Sequence, residues 1–292
     1  MTRYRLVTEH GAVQLHVASV THVGKVRIVN EDSLLVEPPM FAVADGMGGH
    51  SFGDRASAAA VAALRDGVDP EKVTSPDRVF AAIRHANAAV RELTARAGGD
   101  PQLIAGTTLA GLALVEHPET DPCWMVVNLG DSRVYRISEA GGLEQITVDH
   151  SLVQELLDAG LLDPDGARRH PERNVITRAL GAADDAEAEA WLLPATQRQI
   201  FLICSDGLTK ELDDEQIAEL VVPREPAETV DAVVDRLLTA ALEAGGSDNV
   251  SILLVRSEYR GGFSTTSDVD EQTHERGRSS LTPELDDTRP RV

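Results

Sequence analysis

Aromatic side chains and cysteines are scarce in this sequence. Phe, Trp and Tyr make up 3% of its 292 residues, so a core must be packed mainly by the aliphatic residues that dominate the 42% hydrophobic content. The two cysteines, Cys123 and Cys204, form no CxxC pair and lie in apolar runs, which indicates buried free thiols and argues against a thiolate zinc site. The chain is long enough for one large domain or two small ones.

Long apolar runs and excess positive charge are also missing. No apolar stretch approaches the roughly 18 to 20 residues that span a bilayer, and residues 1–10 lack the apolar segment of a secretory signal. We therefore expect a cytoplasmic protein that does not bind membranes. The formal net charge of −21 argues against nucleic acid as a partner. It fits either a protein that collects cations or simple solubility.

Short apolar segments outnumber helical patterns along most of the chain. Alternating or buried apolar runs predict strands over residues 14–20, 33–36, 40–44, 107–115, 124–129, 133–137, 143–146, 200–204 and 250–255. Helical spacing predicts helices over residues 54–65, 76–97, 151–162, 213–220 and 227–245. An Arg-rich loop is predicted over residues 163–174. The strands follow one another in pairs, which favours antiparallel sheets flanked by helices and a fold of the α+β class.

The C-terminal segment differs in composition from the rest. It is rich in Ser, Thr, Gly and charged residues and has almost no large apolar side chains. Such a segment cannot bury enough surface to offset the entropy lost on ordering. We predict one domain over residues 1–256 and a disordered polar tail over residues 257–292.

Carboxylates recur at the ends of the predicted strands, several of them beside glycine. The set comprises Asp45-Gly46, Asp131, Asp206-Gly207, Asp248 and, before the strand at 33, Glu31-Asp32. A strand end fixes a short carboxylate, and an adjacent glycine allows close approach of a ligand. One Asp-Gly pair is weak support because such pairs are common in turns. Several in one domain predict a site for a hard divalent cation, Mg²⁺ or Mn²⁺, because all the donors are oxygens.

Seven segments, in this order, resemble the protein phosphatase 2C (PPM) family and its bacterial branch. They are residues 27–32 (RIVNED), 45–50 (DGMGGH), 106–108 (GTT), 130–133 (GDSR), 174–181 (NVITRALG), 205–208 (SDGL) and 247–249 (SDN). The resemblance implies a four-layer α-β-β-α sandwich with two central antiparallel sheets and a metal site between them. It also implies a flap near the substrate over about residues 151–174.

The resemblance assigns a metal role to each acidic motif. Asp45 would bridge two Mn²⁺ or Mg²⁺ ions, and the Gly46 carbonyl would bind one of them. Asp206 and Asp248 would complete the first site, and Glu31 would act on the second through water. Asp131 would hold a third ion that shares Asp206.

Two further roles concern the substrate. Arg27 would bind its phosphate group. Some members of the family carry a histidine directly after the Asp-Gly pair as general acid, whereas this chain has Met47, which cannot donate a proton. His50 and a metal-bound water remain as candidates for the acid.

The implied function is hydrolysis of phosphoserine and phosphothreonine in proteins by a metal-activated water, opposing Ser/Thr kinases. The expected partners are phosphorylated proteins, including those kinases and their substrates, and the expected state is a monomer. Two alternatives stay open. One is a phosphatase for a single regulatory phosphoprotein such as an anti-anti-sigma factor. The other is a non-catalytic relative that only binds phosphoproteins.

Overall fold

The computed structural model describes residues 2–9, 11–48, 52–96, 105–117, 120–138, 141–195, 198–224 and 228–261. The strands within these ranges are β1 Thr2–Thr8, β2 Gly11–His22, β3 Asp32–Glu37, β4 Met40–Met47, β5 Gly106–Thr107, β6 Leu109–His117, β7 Thr120–Leu129, β8 Arg133–Ile137, β9 Leu143–Gln145, β10 Glu189–Pro194, β11 Gln199–Cys204 and β12 Val250–Gly261. The helices are α1 Gly53–Asp66, α2 Pro76–Arg96, α3 Leu152–Asp158, α4 Pro164–Arg169, α5 Asp206–Thr209, α6 Asp214–Val221 and α7 Val230–Ala244.

Two antiparallel sheets form the centre of the described chain. The first has the order β1-β2-β12-β11-β8-β9, and the second has the order β10-β7-β6-β4-β3 with the short β5 paired to β4. In the first sheet the N-terminal hairpin lies directly beside the last strand, since β12 pairs along its whole length with β2. The end of β12 therefore lies beside the start of β2, at the turn of this hairpin.

Three apolar layers give the order helix, sheet, sheet, helix. One layer packs α1 and α2 onto the second sheet. A middle layer lies between the two sheets, where Trp124 of β7 meets Phe201 of β11 with ring centroids 5.7 Å apart. The third packs α6 and α7 onto the first sheet. The predicted four-layer sandwich with two antiparallel sheets is confirmed.

Local sequence signals set several helix ends. Pro76 begins α2, where a missing N–H costs nothing. The Asp213 side chain accepts from the backbone N–H of Gln216, and the Gln216 side chain accepts from that of Asp213, which forms a capping box at α6. Thr229 caps α7 with a single hydrogen bond, which its side chain accepts from the Ala232 N–H. These signals explain why the helix boundaries were predicted to within a few residues.

Four elements were not predicted from the sequence. The pattern did not show β1 or β10, and residues 163–174 were predicted as a loop although they contain α4. The Asp163 carboxylate caps this short helix by accepting from the Gly166 N–H. The short α5 directly follows β11. None of the described helices is both long and apolar enough to cross a membrane.

The last described strand runs past residue 256, where the sequence predicts the domain to end. Strand β12 continues to Gly261 and pairs with β2 as far as Gly11. Tyr259 is buried within this extension and belongs to the middle apolar layer. Residues 262–292, most of the predicted tail, lie outside the described residues.

Removing the aromatic contact between the sheets tests this account of the core. Phe201 has no exposed surface, so Phe201→Ala should lower the free energy of unfolding by about 3–5 kcal/mol. Leu161→Ala, at a side chain that is 74% exposed, is the control and should change it by less than about 0.5 kcal/mol. Urea titration followed by tryptophan fluorescence measures both. A loss below about 1 kcal/mol for Phe201→Ala would contradict the packing.

Candidate functional site

Carboxylates from both sheets meet at one end of the sandwich. Asp45 lies near the end of β4 in the second sheet, and Asp206 lies two residues after the end of β11 in the first. Asp248 precedes β12, and Asp131 lies in the turn between β7 and β8. Their charges act on one another, because Asp206 and Asp131 both raise the pKa of Asp45. The sequence-predicted acidic motifs therefore converge in space.

Burial makes this cluster electrostatically costly. Burial raises the pKa of Asp45 well above its ordinary value, and the negative charge of Asp206 raises it further. The pKa of Asp131 is likewise raised, first by burial and then by Asp206. Burial raises the pKa of Asp32 to about 6, and the charges of Asp206 and Asp248 contribute to this shift. Nearby cations would favour the ionised forms of these carboxylates.

Several carboxylate oxygens in the cluster have unused acceptor capacity. The Oδ1 atoms of Asp32, Asp131 and Asp206 are buried and accept no hydrogen bond from any described residue. Native proteins satisfy nearly all buried polar atoms, so each unsatisfied oxygen calls for an explanation, such as an ion or a water. The donor set is made of oxygen atoms, which hard divalent cations prefer.

Two basic side chains approach the cluster. The ammonium of Lys210 lies 2.5 Å from Asp206 Oδ2 and 2.8 Å from Asp248 Oδ2. Arg27 forms an ion pair with Asp248 through two nitrogens, each 2.9 Å from a carboxylate oxygen. Burial alone would raise the pKa of Asp248, but Lys210 and Arg27 outweigh it and the net shift is downward. Among the described residues, no three His, Cys, Asp or Glu side chains form a ready-made metal cage.

A close approach of backbone segments brings Glu31 and the Gly46 carbonyl together at the start of α1. A Cβ on Gly53 would lie 2.6 Å from Glu31 Oε1 and 2.9 Å from the Gly46 oxygen. A Cβ on Gly46 would lie 2.1 Å from the Gly53 oxygen. Glycine is therefore required at both positions. Burial raises the pKa of Glu31, and the backbone N–H of Gly53 at the helix N-terminus offsets only part of this shift.

Asn249 fixes the loop that carries Arg27 and Glu31. Its Oδ1 accepts from the Glu31 backbone N–H at 2.8 Å, and its Nδ2 donates to the carbonyls of Val23 and Val29 at 3.0 Å each. Its own backbone N–H donates to Asp248 Oδ1 at 2.9 Å. One buried side chain thus ties the loop to the strand end that bears Asp248.

Hydroxyl groups hold the backbone of Asp45. Thr108 Oγ1 accepts from the Asp45 N–H at 3.0 Å, and Thr107 Oγ1 donates to the Asp45 carbonyl at 2.9 Å. Thr108 also bonds Ser132 Oγ at 2.7 Å. Ser132 directly follows Asp131, so this chain of contacts fixes Asp45 and Asp131 relative to each other. All three hydroxyl residues are fully buried.

The turn that carries Asp131 is braced from the other side. Gly130 has a φ of 110°, which favours glycine, and its N–H donates to His150 Nδ1 at 3.1 Å. Burial lowers the pKa of His150, which suits this acceptor role of a neutral ring. Arg133 forms a two-nitrogen pair with Asp149. The turn is thereby held between β8 and the segment that follows β9.

Sequence reasoning found some of these residues but not others. Seven predicted site residues lie at the same end of the sandwich: Asp45, Gly46, Asp131, Asp206, Asp248, Glu31 and Arg27. His50 lies outside the described residues, so its role as an acid remains a prediction. Lys210 was missed, and Asp32 and Asn249 lay within the quoted motifs without a role of their own. The i,i+4 spacing of Asp206 and Lys210 was the available signal for this lysine.

Comparison with known proteins agrees with this architecture. The model of the family described as Protein phosphatase 2C matches residues 25–244. This match covers more than half of the chain. The chain belongs to the protein phosphatase 2C family.

Individual relatives in this family are bacterial. The serine/threonine phosphatase stp of Listeria monocytogenes is 32% identical over 252 residues, which are 84% of this chain and 96% of that protein. The serine/threonine protein phosphatase PstP of Mycobacterium tuberculosis is 36% identical over 233 residues, 79% of this chain but only 43% of PstP. A crystal structure of the catalytic domain of a PstP in complex with two manganese ions is 32% identical in sequence, with a TM-score of 0.69. The match covers 84% of this chain and 99% of that one.

The contacts of Asn249 generate a test of how the site is held. Asn249→Ala should lower the free energy of unfolding by about 1–3 kcal/mol, since it removes the hydrogen-bond partner of three backbone groups in the 23–31 loop. Urea denaturation measures the change, and Asn174→Ala, at an exposed position, is the control. An Asn249→Ala protein as stable as the parent would show that the loop does not depend on this side chain.

Proposed function

We propose that this chain is a metal-dependent phosphatase that removes phosphate from phosphoserine and phosphothreonine in proteins. The observation that carries the proposal is the convergence of buried carboxylates with unsatisfied oxygens at strand ends from both sheets. The names of the relatives supply the substrate class, because stp and PstP are serine/threonine phosphatases. Phosphorylated proteins are therefore the proposed partners, and the action opposes Ser/Thr kinases.

The residues at this end of the sandwich fit divalent cations. Their donors are oxygens, several are unsatisfied, and the cluster has more carboxylates than basic side chains. We assign the cations to Asp45, the Gly46 carbonyl, Asp206, Asp248, Glu31 and Asp131. Mn²⁺ or Mg²⁺ bound there supplies Lewis-acid activation of water and neutralises charge on the phosphoryl group. The manganese ions in the related PstP structure support this choice.

Arg27 is the proposed contact to the substrate phosphate. Its side chain is 50% exposed and therefore reachable from solvent, while its guanidinium is anchored on Asp248. A guanidinium presents five N–H donors in a fork that matches phosphate oxygens, so it can hold Asp248 and a phosphoryl group at once. Arg27 would orient the phosphate towards the carboxylate cluster.

The segment after His150 is the proposed flap. Helices α3 and α4 occupy it, and none of the seven residues of α3 that the structure describes is buried. A bridge between Ser151 and Ile176 closes the segment at its base. Such a projecting pair of helices suits contact with a protein substrate. We place the catalytic domain at residues 2–261 and expect a cytoplasmic monomer.

Metal removal and ligand substitution test the proposal together. Hydrolysis of p-nitrophenyl phosphate should require Mn²⁺ or Mg²⁺ and disappear in EDTA. Asp45→Asn should reduce turnover by about a hundredfold or more, because it removes a ligand charge. Asp69→Asn, at an exposed aspartate paired with Lys72, is the matched control and should keep the parent rate. Full activity in EDTA, or a parent-like rate for Asp45→Asn, would refute the metal mechanism.

A peptide panel then separates the substrate classes. Release of phosphate from phosphoserine and phosphothreonine peptides should exceed release from matched phosphotyrosine peptides. Activity confined to one regulatory phosphoprotein would favour the narrow phosphatase. Binding of phosphopeptides without any release would identify a non-catalytic module and overturn the proposed activity.

Asp131 is expected to serve a separate, weaker ion. Asp131→Ala should reduce turnover strongly while the tighter sites at Asp45, Asp206 and Asp248 stay filled. Calorimetric titration with Mn²⁺ should lose only a weak binding event, because a site with few carboxylates keeps most of its waters. Full turnover at saturating Mn²⁺, or loss of the tight events, would make Asp131 a structural residue of its turn.

A further inference from the structure

Lys210 lies where the chain turns away from the carboxylate cluster. It directly follows α5, and its backbone N–H donates to the Asp206 carbonyl at 2.7 Å. Lysine at this i,i+4 spacing returns its side chain to the Asp206 carboxylate. The same ammonium also reaches Asp248, which is 38 residues away in sequence. One flexible side chain therefore spans two of the proposed metal ligands.

The charge of Lys210 acts on the whole cluster. Burial alone would lower the pKa of this lysine, but Asp206 and Asp248 outweigh it and raise the pKa. The ammonium in turn counteracts the raised pKa of Asp45 and of Asp131. A lysine is charged at neutral pH by its ordinary pKa, and its two contacts place that charge between Asp206 and Asp248.

A divalent ion and this ammonium compete for the same oxygens. The lysine uses Asp206 Oδ2 and Asp248 Oδ2. A divalent cation held by Asp206 and Asp248 would need carboxylate oxygens that the ammonium already contacts. Two cations that share the same oxygens would repel each other strongly. Arg27 also contacts both oxygens of Asp248, so the same conflict arises there, whereas Lys210 contacts Asp206 as well.

We propose that Lys210 is a tethered cation that holds Asp206 and Asp248 in the metal-free protein and must withdraw before a divalent ion binds there. The inference rests on the proposed function, which makes both aspartates metal ligands. Its consequence is a metal affinity lower than the carboxylates alone would give, together with a metal-free state that is more stable. The four-carbon stem of lysine allows withdrawal without movement of the backbone.

The test compares Mn²⁺ binding in the parent with that in Lys210→Met. Methionine is similar in length to the lysine stem and carries no charge. Calorimetry should show at least about tenfold tighter binding of the first Mn²⁺ in the variant, a difference of about 1.4 kcal/mol. The melting temperature in EDTA should fall, because the carboxylates lose their internal cation. If Lys210→Met does not fold, Lys210→Gln replaces it and carries the same expectation.

Lys72→Met is the matched control. It changes the net charge by the same amount, and Lys72 is 77% exposed and pairs with Asp69 away from the cluster. Its Mn²⁺ affinity and melting temperature should equal those of the parent. A gain in affinity shared by both variants would reflect overall charge and would overturn the inference.

Chemical labelling tests withdrawal itself. The sequence has three lysines, Lys25, Lys72 and Lys210, so an amine-reactive ester followed by peptide mass spectrometry reports on each. In the parent protein, labelling of Lys210 should rise when Mn²⁺ is added, because the ion releases its ammonium from the two aspartates. Labelling of Lys72 should not change. Equal labelling of Lys210 with and without bound Mn²⁺ would contradict displacement.

The outcomes distinguish this inference from the proposed function. Tight Mn²⁺ binding by the parent that is unchanged or weaker in Lys210→Met overturns the inference alone. No Mn²⁺ binding by any of the proteins overturns the inference together with the metal-dependent function. Tighter binding in Lys210→Met with no phosphatase activity in the parent supports the inference and refutes the catalytic proposal.

Discussion

Repulsion among buried carboxylates is the constraint around which this end of the sandwich is built. Asp45, Asp131 and Asp206 approach one another from different strands, and burial and mutual charge raise the pKa of the first two. An arrangement of this kind is stable only if cations or protons offset the charge. Lys210 and Arg27 supply part of that positive charge from within the chain. The proposed divalent ions would supply the rest.

The scaffold makes the repulsion tolerable because it fixes each carboxylate through its backbone. Thr107 and Thr108 hold Asp45, and Asn249 holds the loop of Glu31 by bonds that join positions far apart in sequence. These groups are buried and satisfied, so displacing a carboxylate would break several hydrogen bonds at once. Three apolar layers stabilise the strands from which these residues extend. The polar end of the sandwich therefore depends on the apolar body.

The ammonium of Lys210 and a divalent metal ion can neutralise the same carboxylates at different times. In that arrangement the lysine stabilises the metal-free protein, and the metal gains its place only by displacing it. Lys210 then raises the stability of the metal-free protein and lowers its affinity for metal. Such a trade between stability and function is common at functional sites. Asp248 is the point of exchange, because Arg27 and Lys210 both contact it.

The sequence by itself determined the alternation of apolar segments, most helix boundaries and the order of the acidic motifs. These depend on neighbours within a few residues, such as the capping pair Asp213 and Gln216. Strand β1 was not predicted, because it lies at a sheet edge and few of its side chains are buried, so its sequence shows little apolar alternation. Only the tertiary structure decided which side chains meet across the sandwich. Asn249 reaches Glu31 over 218 residues and Lys210 reaches Asp248 over 38, and contacts of that range are set by the pairing and packing of the sheets.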